Sequence, residues 1–259
     1  MADEGNIAVT RHPAGAALRR LGRLLLDAVL PPRCLKCGAA VAEPGALCAA
    51  CWPALAFITP PYCACCGYPF ELDPGPGTLC AGCLATPPPY RRARAVLRYD
   101  VASRDLILGF KHGDRTEAAP AFARWLAAGG ELSDIDVIAP VPLHWRRLFH
   151  RRYNQSALLA LGVGRLAGRP VVADLLLRRR PTPPQGHLGS AARRRNVAGA
   201  FAVNPRRRAG LAGRRVLLVD DVMTSGATIE ACCRALSQGG AASVDVLALA
   251  RAIRPTVPH

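Results

Sequence analysis

Lysine is almost absent from this sequence. Lys36 and Lys111 are the only two lysines among 34 basic residues, and all the others are arginines. Acidic residues are scarce in one region, since residues 142–215 hold 17 arginines and a single acid, Asp174, which accounts for the whole net charge of +16. Charge of one sign attracts phosphates and nucleic acids. A solvated basic face, or a bias in genomic base composition, would explain the same pattern.

Long apolar runs are also missing. No segment reaches the roughly 20 apolar residues that a membrane-spanning helix needs. Residues 16–30 form a candidate amphipathic helix, but acids near the start and the lack of a clean cleavage site do not fit a signal peptide. The arginines of this helix permit a membrane-surface interpretation, and we favour a packing helix. We therefore expect a soluble, cytoplasmic protein without a membrane span.

Aromatic residues make up only 5% of the chain. The basic stretch contains Trp145, Phe149, Tyr153 and Phe201, which limits how many bases of a single strand it can stack. Hydrophobic residues nevertheless reach 51%, so a sizeable core is expected. The 23 prolines and 24 glycines indicate many turns and not disorder, because apolar runs persist throughout.

Cysteine, in contrast, is abundant and concentrated, with nine of the eleven between Cys34 and Cys83. Eight of these form four Cys-x-x-Cys pairs, and glycine follows two of the pairs directly. Two thiolates on one tight turn supply half of a tetrahedral zinc site. The pattern therefore predicts two structural zinc ions with no open coordination position. The pairs are Cys34/Cys37, Cys48/Cys51, Cys63/Cys66 and Cys80/Cys83.

The spacing favours two sequential zinc ribbons, each built from two neighbouring pairs, and leaves an interleaved pairing open. A disulfide framework would need an oxidising compartment, and redox catalysis does not need four such pairs. Cys65 is interpreted as a spectator or a register alternative to a neighbouring ligand. Cys232 and Cys233 are interpreted as ordinary helix residues.

The most informative stretch spans residues 216–228. Four apolar residues, Val216 to Val219, indicate a buried strand. Two carboxylates, Asp220 and Asp221, follow, and then a small hydroxyl-rich turn with one glycine leads into a helix. A phosphate fits at such a helix N-terminus, and the carboxylates suit sugar hydroxyls or a magnesium ion bound to a phosphate. The stretch therefore predicts a phosphorylated-sugar site, and an ordinary capped strand–turn–helix is the alternative.

The composition divides the chain into three parts. Residues 1–30 are a lead and helix, residues 31–90 a zinc module, and residues 91–259 a second domain. Strands and helices alternate in that domain, which predicts an α/β fold with a mainly parallel sheet and ligands at the carboxyl ends of its strands. Strands are expected at 93–99, 137–142, 200–203, 214–219 and 243–250, and helices at 102–110, 116–128, 154–167 and 226–238.

Basic residues after other elements suggest a second anion site. Arg147, Arg151 and Arg152 follow the strand at 137–142 and precede a helix, a placement that suits pyrophosphate. Residues 178–196, which include Arg178 and Arg193, form a long polar loop that we interpret as a mobile lid, with a flexible surface insertion as the alternative. Lys111 follows a helix and suits an anion contact, or is simply solvated.

The acidic turn resembles the signature of the type I phosphoribosyltransferases. The resemblance implies that Asp220 and Asp221 are the catalytic residues that hold the ribose hydroxyls of phosphoribosyl pyrophosphate (PRPP), taken up together with Mg²⁺. It also implies that the turn wraps the 5′-phosphate. The turn consists of Met223, Thr224, Ser225, Gly226, Ala227 and Thr228.

Over residues 30–251 the chain resembles the ComF family, which joins a double zinc ribbon to a type I phosphoribosyltransferase-like domain. The likeness comprises the cysteine pairs, the acidic turn, Leu108-x-x-Lys111-His112-x-Asp114, Val141-Pro142-Leu143-His144, Arg151-Arg152-Tyr153-Asn154-Gln155 and Leu177-Arg178…Thr182-x-x-Gln185…Arg193-x-x-Asn196. The family usually shows Gly-Phe-Asn-Gln where this chain has Arg152-Tyr153-Asn154-Gln155, so the loop geometry there is expected to differ.

The resemblance implies a cytoplasmic protein that is linked to DNA uptake in competent bacteria. Our first hypothesis is a phosphoribosyltransferase that binds Mg-PRPP and transfers phosphoribose to an acceptor that the sequence does not name. The alternative is a non-catalytic competence factor that binds single-stranded DNA on the same fold and works with the uptake machinery. A ligand-sensing regulator without turnover is a third, weaker hypothesis.

Overall fold

The computed structural model describes residues 31–112, 115–181 and 190–253. The chain divides into two compact units, residues 1–48 and 49–259. The helix expected at 16–30 lies outside the described residues, as do Asp114, Thr182 and Gln185. The domain boundaries expected near residues 30 and 90 stay a prediction.

The first unit is described from residue 31 and contains one cysteine turn. The N–H of Cys34 donates to the carbonyl of Ala39 at 2.7 Å, and the N–H of Gly38 donates to the carbonyl of Cys34 at 3.0 Å. Gly38 has a φ of 77°, a conformation that glycine adopts without strain. This glycine closes the turn that carries Cys34 and Cys37.

In the second unit a four-stranded parallel sheet has the order β1-β6-β5-β2. The two central strands are buried over most of their length, as expected for a parallel sheet covered on both faces. A separate antiparallel pair joins β3 and β4. The strands are β1 (Arg92–Arg98), β2 (Val137–Pro140), β3 (Leu176–Arg178), β4 (Phe201–Val203), β5 (Arg215–Met223) and β6 (Ser243–Arg251).

Helices follow the strands, as the alternating sequence pattern predicts. Helix α3 contacts β1 and β6, α5 contacts β2 and β5, and α8 contacts β4, β5 and β6. Short 3₁₀ turns cover Thr116–Ala118 and Pro205–Arg207. The helices are α1 (Ala81–Ala85), α2 (Val101–His112), α3 (Ala119–Gly129), α4 (Trp145–Arg151), α5 (Gln155–Ala167), α6 (Ser190–Val197), α7 (Arg208–Leu211) and α8 (Ala227–Gln238).

The prediction of an α/β fold with a mainly parallel sheet is confirmed. Strand β5 runs to Met223 and not to residue 219, because its backbone stays paired with β6 beyond the acids, at Val222 with Ala250 and Met223 with Arg251. Strand β3 and helices α1, α4, α6 and α7 were not expected. Helix α6 occupies the end of the segment that we interpreted as a lid, and the mobility of that segment stays a prediction.

A second cysteine turn packs against the sheet within the second unit. The N–H of Cys63 donates to the carbonyl of Tyr68 at 2.8 Å, and Gly67 has a φ of 68°. A Cβ on Gly67 would lie 2.5 Å from the carbonyl oxygen of Ala93, so the two backbones touch. The N–H of Ala93 in turn donates to the carbonyl of Cys65 at 2.6 Å. This ribbon therefore covers the open edge of β1, an edge that would otherwise expose unpaired backbone groups.

Candidate functional site

The acid pair lies in the last four residues of β5. Asp220 is buried, and its Oδ1 accepts hydrogen bonds from the Ser156 hydroxyl at 3.0 Å and the Asp221 N–H at 2.9 Å. Burial, together with the neighbouring charge of Asp221, raises the pKa of Asp220 to about 7. Carboxyl groups whose pKa is raised by burial and a neighbouring charge are common in ligand-binding sites.

Lys111, from the end of α2, reaches the second acid. Its Nζ lies 3.0 Å from Oδ2 of Asp221, and both side chains are largely shielded from solvent. The structure thus places Lys111 beside the second acid of the pair. The contact between Lys111 and a bound anion stays a prediction. An ammonium group in this position neutralises the acid and lies within reach of an anionic ligand bound beside it.

The loop before α5 holds this lysine and the first acid in place. The Tyr153 hydroxyl donates to the carbonyl of Phe110 at 2.7 Å, and the Gln155 side chain donates to the carbonyl of Lys111 at 3.1 Å. The Asn154 side chain donates to the carbonyl of Val141 at 3.1 Å. These bonds join the end of α2, the end of β2 and the start of α5 around Asp220.

The turn after the acids forms the start of α8. Gly226 is the N-cap residue with a φ of 77°, and it has no side chain with which to cap the helix. The backbone N–H groups and the dipole of a helix N-terminus favour an anion at this position. Asp220, Thr224, Gly226 and Thr228 line one small cavity of about 40 Å³ together with their neighbours in the turn.

Ser225, in the same turn, offers a buried hydroxyl group to a ligand. The Ser225 Oγ is buried and has no hydrogen-bond partner among the residues that the structure describes. A buried donor without an acceptor costs about 1–3 kcal/mol, so a group that accepts from it is expected. Phosphate oxygens would supply such acceptors.

One of the predicted arginines, Arg178, interacts with the first acid. Burial and the charge of Arg147 lower the pKa of Arg178, and the charge of Asp220 opposes this shift. Burial and the charge of Arg151 likewise lower the pKa of Arg147. The positive charges of Arg147 and Arg151, in α4, and of Arg178, at the end of β3, therefore act on one another.

The two remaining predicted arginines, Arg152 and Arg193, lie at two different helices. Arg152 is the C-cap of α4, with a φ of 64°, and Arg193 lies in α6. A left-handed non-glycine residue is uncommon, and it stands where the family usually has glycine. The part that Arg152 and Arg193 play in anion binding stays a prediction.

The eight paired cysteines form two sets of four. Within each set the sulfur atoms all lie within 4.8 Å of one another, which confirms the sequential pairing and not the interleaved one. The Cys37–Cys48 and Cys66–Cys80 sulfur pairs are 3.6 Å apart, near the roughly 3.8 Å edge of a tetrahedral zinc–thiolate site. None of the eleven cysteines is joined in a disulfide bond in this structure. The sets are Cys34, Cys37, Cys48, Cys51 and Cys63, Cys66, Cys80, Cys83.

Backbone N–H groups point at one sulfur in each set. Cys63 Sγ accepts from the N–H groups of Cys66 at 3.4 Å and Cys80 at 3.2 Å. Burial opposes ionisation there, but these donors lower the pKa of Cys63 to about 7, and similar donors lower the pKa of Cys34 to about 6. Stabilised thiolates are the form that binds zinc, so the donor sets fit the metal.

Arg251 joins the second cysteine set to the turn of residues 223–228, for which the sequence predicts phosphate binding (the phosphate turn). From the end of β6, its Nη1 donates to the carbonyl of Cys66 at 2.6 Å and contacts Met223 Sδ at 3.3 Å, while Nη2 contacts Cys66 Sγ at 3.6 Å. Its guanidinium carbon lies 5.5 Å from the Tyr68 ring centroid. Excess negative charge on a four-thiolate zinc site favours such a cation.

The sequence did not indicate two residues of this site. Ser156 opens helix α5 without a motif of its own, and its bond to Asp220 spans 64 positions in the chain. Arg251 ends β6, the strand beside β5, and the shared carboxyl edge of a parallel sheet was a signal that could have indicated it.

The fold and the two cysteine sets define a protein with a double zinc ribbon and a phosphoribosyltransferase-type domain. Comparison with family models agrees: residues 25–84 match the double zinc ribbon domain, and residues 178–259 match the phosphoribosyl transferase domain.

Among curated proteins, the DNA utilization protein YhgH of Salmonella typhimurium is 33% identical over 200 residues, covering 74% of this chain and 84% of that protein. Competence protein F of Haemophilus influenzae is 29% identical over 229 residues, covering 85% and 97%. The chain therefore belongs to the ComF family.

Among solved structures, the glutamine PRPP amidotransferase from B. subtilis is 20% identical with a TM-score of 0.38, covering 54% of this chain and 30% of that chain. Within the described residues, no helix combines the length and the apolar character that crossing a membrane requires.

Proposed function

We propose that this protein binds PRPP together with Mg²⁺ at the carboxyl edge of β5 and transfers phosphoribose to an acceptor. The observation that carries the proposal is that a buried acid, a hydroxyl-rich turn and the start of helix α8 line one cavity. Each of these groups alone is common in proteins. Together they suit a sugar phosphate, because the turn and the helix start can donate hydrogen bonds to the phosphate and the acid can accept them from the sugar hydroxyls. The match to a phosphoribosyl transferase domain supports it.

Each part of the ligand has a counterpart in the chain. The 5′-phosphate accepts hydrogen bonds from the turn Met223–Thr228, and the ribose hydroxyls donate to Asp220 and Asp221. The pyrophosphate lies towards Arg147 and Arg178, with Lys111 moving from Asp221 to share its charge. Asp220 and Asp221 would hold Mg²⁺ together with the ligand, and the ion would supply further positive charge when bound.

In the transfer, a nucleophile bonds to the anomeric carbon while the bond from that carbon to pyrophosphate oxygen breaks. The leaving group takes the electron pair, and the arginines stabilise its developing charge. The two carboxylates stabilise the positive charge on the ribose ring in the transition state. Asp220 is ionised for this role above its raised pKa.

Calorimetry with Mg-PRPP tests the proposal. We expect saturable binding by the wild-type protein and none by Asp221→Asn, which keeps the size of the side chain and removes its charge. Thr116→Ser, remote from the acid pair, serves as the control. Equal binding by Asp221→Asn and wild type would contradict the proposal. Release of pyrophosphate in a screen of acceptors then tests for turnover.

Single-stranded DNA binding without turnover is the second candidate function. The arginine-rich stretch favours it, and the relatives are named for DNA utilization and competence. Asp221→Asn separates the two functions, because it removes a charge that repels DNA and leaves DNA affinity unchanged or higher.

We also propose a cytoplasmic location linked to DNA uptake, since two four-thiol sites need reduced cysteines.

A further inference from the structure

Helix α4 exposes apolar side chains in the most basic part of the chain. Trp145, Leu148 and Phe149 are 66%, 41% and 83% exposed. They lie three and four positions apart, the spacing that puts side chains on one side of a helix. Single exposed apolar residues are ordinary, but three on one side form a patch that indicates a binding partner.

Positive charge surrounds this patch. Arg146, Arg147 and Arg151 belong to the same helix, and Arg152 follows it. The guanidinium carbon of Arg146 lies 5.3 Å from the Trp145 ring centroid, so ring and charge form a pair. The sequence places no acid between residues 142 and 173. The partner that this combination fits is a polyanion that also offers flat apolar surfaces.

Unpaired nucleobases meet both requirements. In a single strand each base exposes a face that stacks on an aromatic ring, and each phosphate pairs with arginine. A duplex hides those faces between neighbouring base pairs. An anionic membrane fits less well, because membrane affinity grows with the apolar area that inserts between the lipids. Helix α4 has seven residues and offers three exposed apolar side chains for insertion.

We propose that α4 and Arg152 form a binding surface for single-stranded DNA, on which Trp145 and Phe149 stack against bases while the arginines contact phosphates. The inference extends the second candidate function and does not depend on sugar-pyrophosphate binding. Helix α4 has two sides: Arg147 is partly buried and interacts with Arg178, whereas Trp145 and Phe149 are exposed. Stacking of bases on the exposed side therefore does not use the buried side of the helix.

Tryptophan fluorescence tests the stacking directly. The chain has three tryptophans, so Trp52→Phe and Trp125→Phe in the full-length protein leave Trp145 as the only one. A 12-nucleotide oligothymidine is expected to quench its emission to saturation, with an affinity that falls steeply as salt rises. Inorganic tripolyphosphate at the same charge concentration is expected to leave the emission unchanged, because it has no ring to stack.

Substitutions in the otherwise wild-type protein test how much the two aromatic rings contribute to oligothymidine affinity. Trp145→Ala and Phe149→Ala are each expected to weaken oligothymidine binding roughly tenfold. Leu166→Ala is the matched control, since Leu166 is 55% exposed, apolar and next to Arg165 on α5, and it should bind as wild type does. Because all three side chains are exposed, unchanged melting temperatures are expected and show that folding is intact.

The outcomes separate this surface from the sugar-pyrophosphate site. Oligothymidine binding that neither quenches Trp145 nor depends on Trp145 and Phe149 would overturn the proposal, as would an absence of binding. A blue shift with phosphatidylglycerol vesicles, without any response to oligothymidine, would assign the patch to a membrane instead. Mg-PRPP calorimetry on Trp145→Ala should match wild type, so failure of either function is seen independently.

Discussion

Asp220 shows how a single buried carboxyl can serve a site at a cost in stability. The folded state holds it at a raised pKa, mainly because of burial, whereas the unfolded chain holds it near 4. The folded protein therefore binds more protons than the unfolded one between about pH 4 and pH 7. By linkage, the free energy of unfolding falls as pH rises through that window and stays low above it.

We therefore expect Asp220→Asn to stabilise the unliganded protein at pH 8 and to change its stability little at pH 4. The amide cannot ionise, so the gain should reach on the order of 1–4 kcal/mol at pH 8. Denaturant unfolding with zinc retained, at several pH values, measures it. The same variant should lose Mg-PRPP binding. A gain that is larger at pH 4 than at pH 8 would contradict the assigned direction of the pKa shift.

Ser156 and Lys111 hold the two acids in position. Ser156 donates a hydrogen bond to Asp220, and Lys111 pairs with Asp221. Ser156→Ala removes a hydrogen bond to a buried carboxylate, which is worth about 1.5–3 kcal/mol when one partner is charged. We expect about a tenfold or larger loss of Mg-PRPP affinity, measured by calorimetry. Ser243→Ala, at the start of β6 and away from the acids, is the control. Unchanged affinity in Ser156→Ala would show that Asp220 needs no such support.

At the scale of elements, the cysteine turn at Gly67 depends on a close approach to strand β1. Gly67→Ala combines a left-handed conformation with a Cβ 2.5 Å from the Ala93 carbonyl oxygen. Gly168→Ala has a similar φ of 62° but open space around the new Cβ. We expect Gly168→Ala to cost about 1 kcal/mol and Gly67→Ala about 1–3 kcal/mol more.

Denaturant midpoints, with zinc retained, compare these two glycine variants. Equal destabilisation would mean that the ribbon moves away from β1 without a measurable cost. The zinc content of Gly67→Ala should stay at the wild-type value, because the substitution disturbs the contact with the strand and not the thiols.

Much of this element structure was predictable. The strand expected at 93–99 is observed at 92–98, and the helix expected at 154–167 is observed at 155–167. Both could be predicted because their buried apolar residues recur at the spacing typical of a strand or a helix. Helix α4 could not be predicted in the same way, since its apolar side chains face outward. The hydrogen bond from Ser156 to Asp220 joins elements far apart in sequence, so only the folded chain shows it.

At the scale of the whole molecule, we expect zinc binding to support both stability and the proposed sugar-phosphate site. Metal analysis should find two zinc ions per chain, and Cys37→Ser and Cys80→Ser should each retain one. Only Cys80→Ser should also weaken Mg-PRPP binding, because Arg251 joins the second set to Met223 in the phosphate turn. Cys65→Ser, outside both sets, is the control and should keep two. Loss of zinc in Cys65→Ser would reassign a ligand.

The central claim is that the turn after the acid pair of β5 encloses the phosphate of a pentose. A crystal structure of the full-length protein with ribose 5-phosphate tests this most directly. The result expected is phosphate oxygens within hydrogen-bond distance of backbone N–H groups in residues 224–228, with the ribose hydroxyls at Asp220 and Asp221. Ribose 5-phosphate bound at a different place, with that turn left in contact only with protein and water, would contradict the claim.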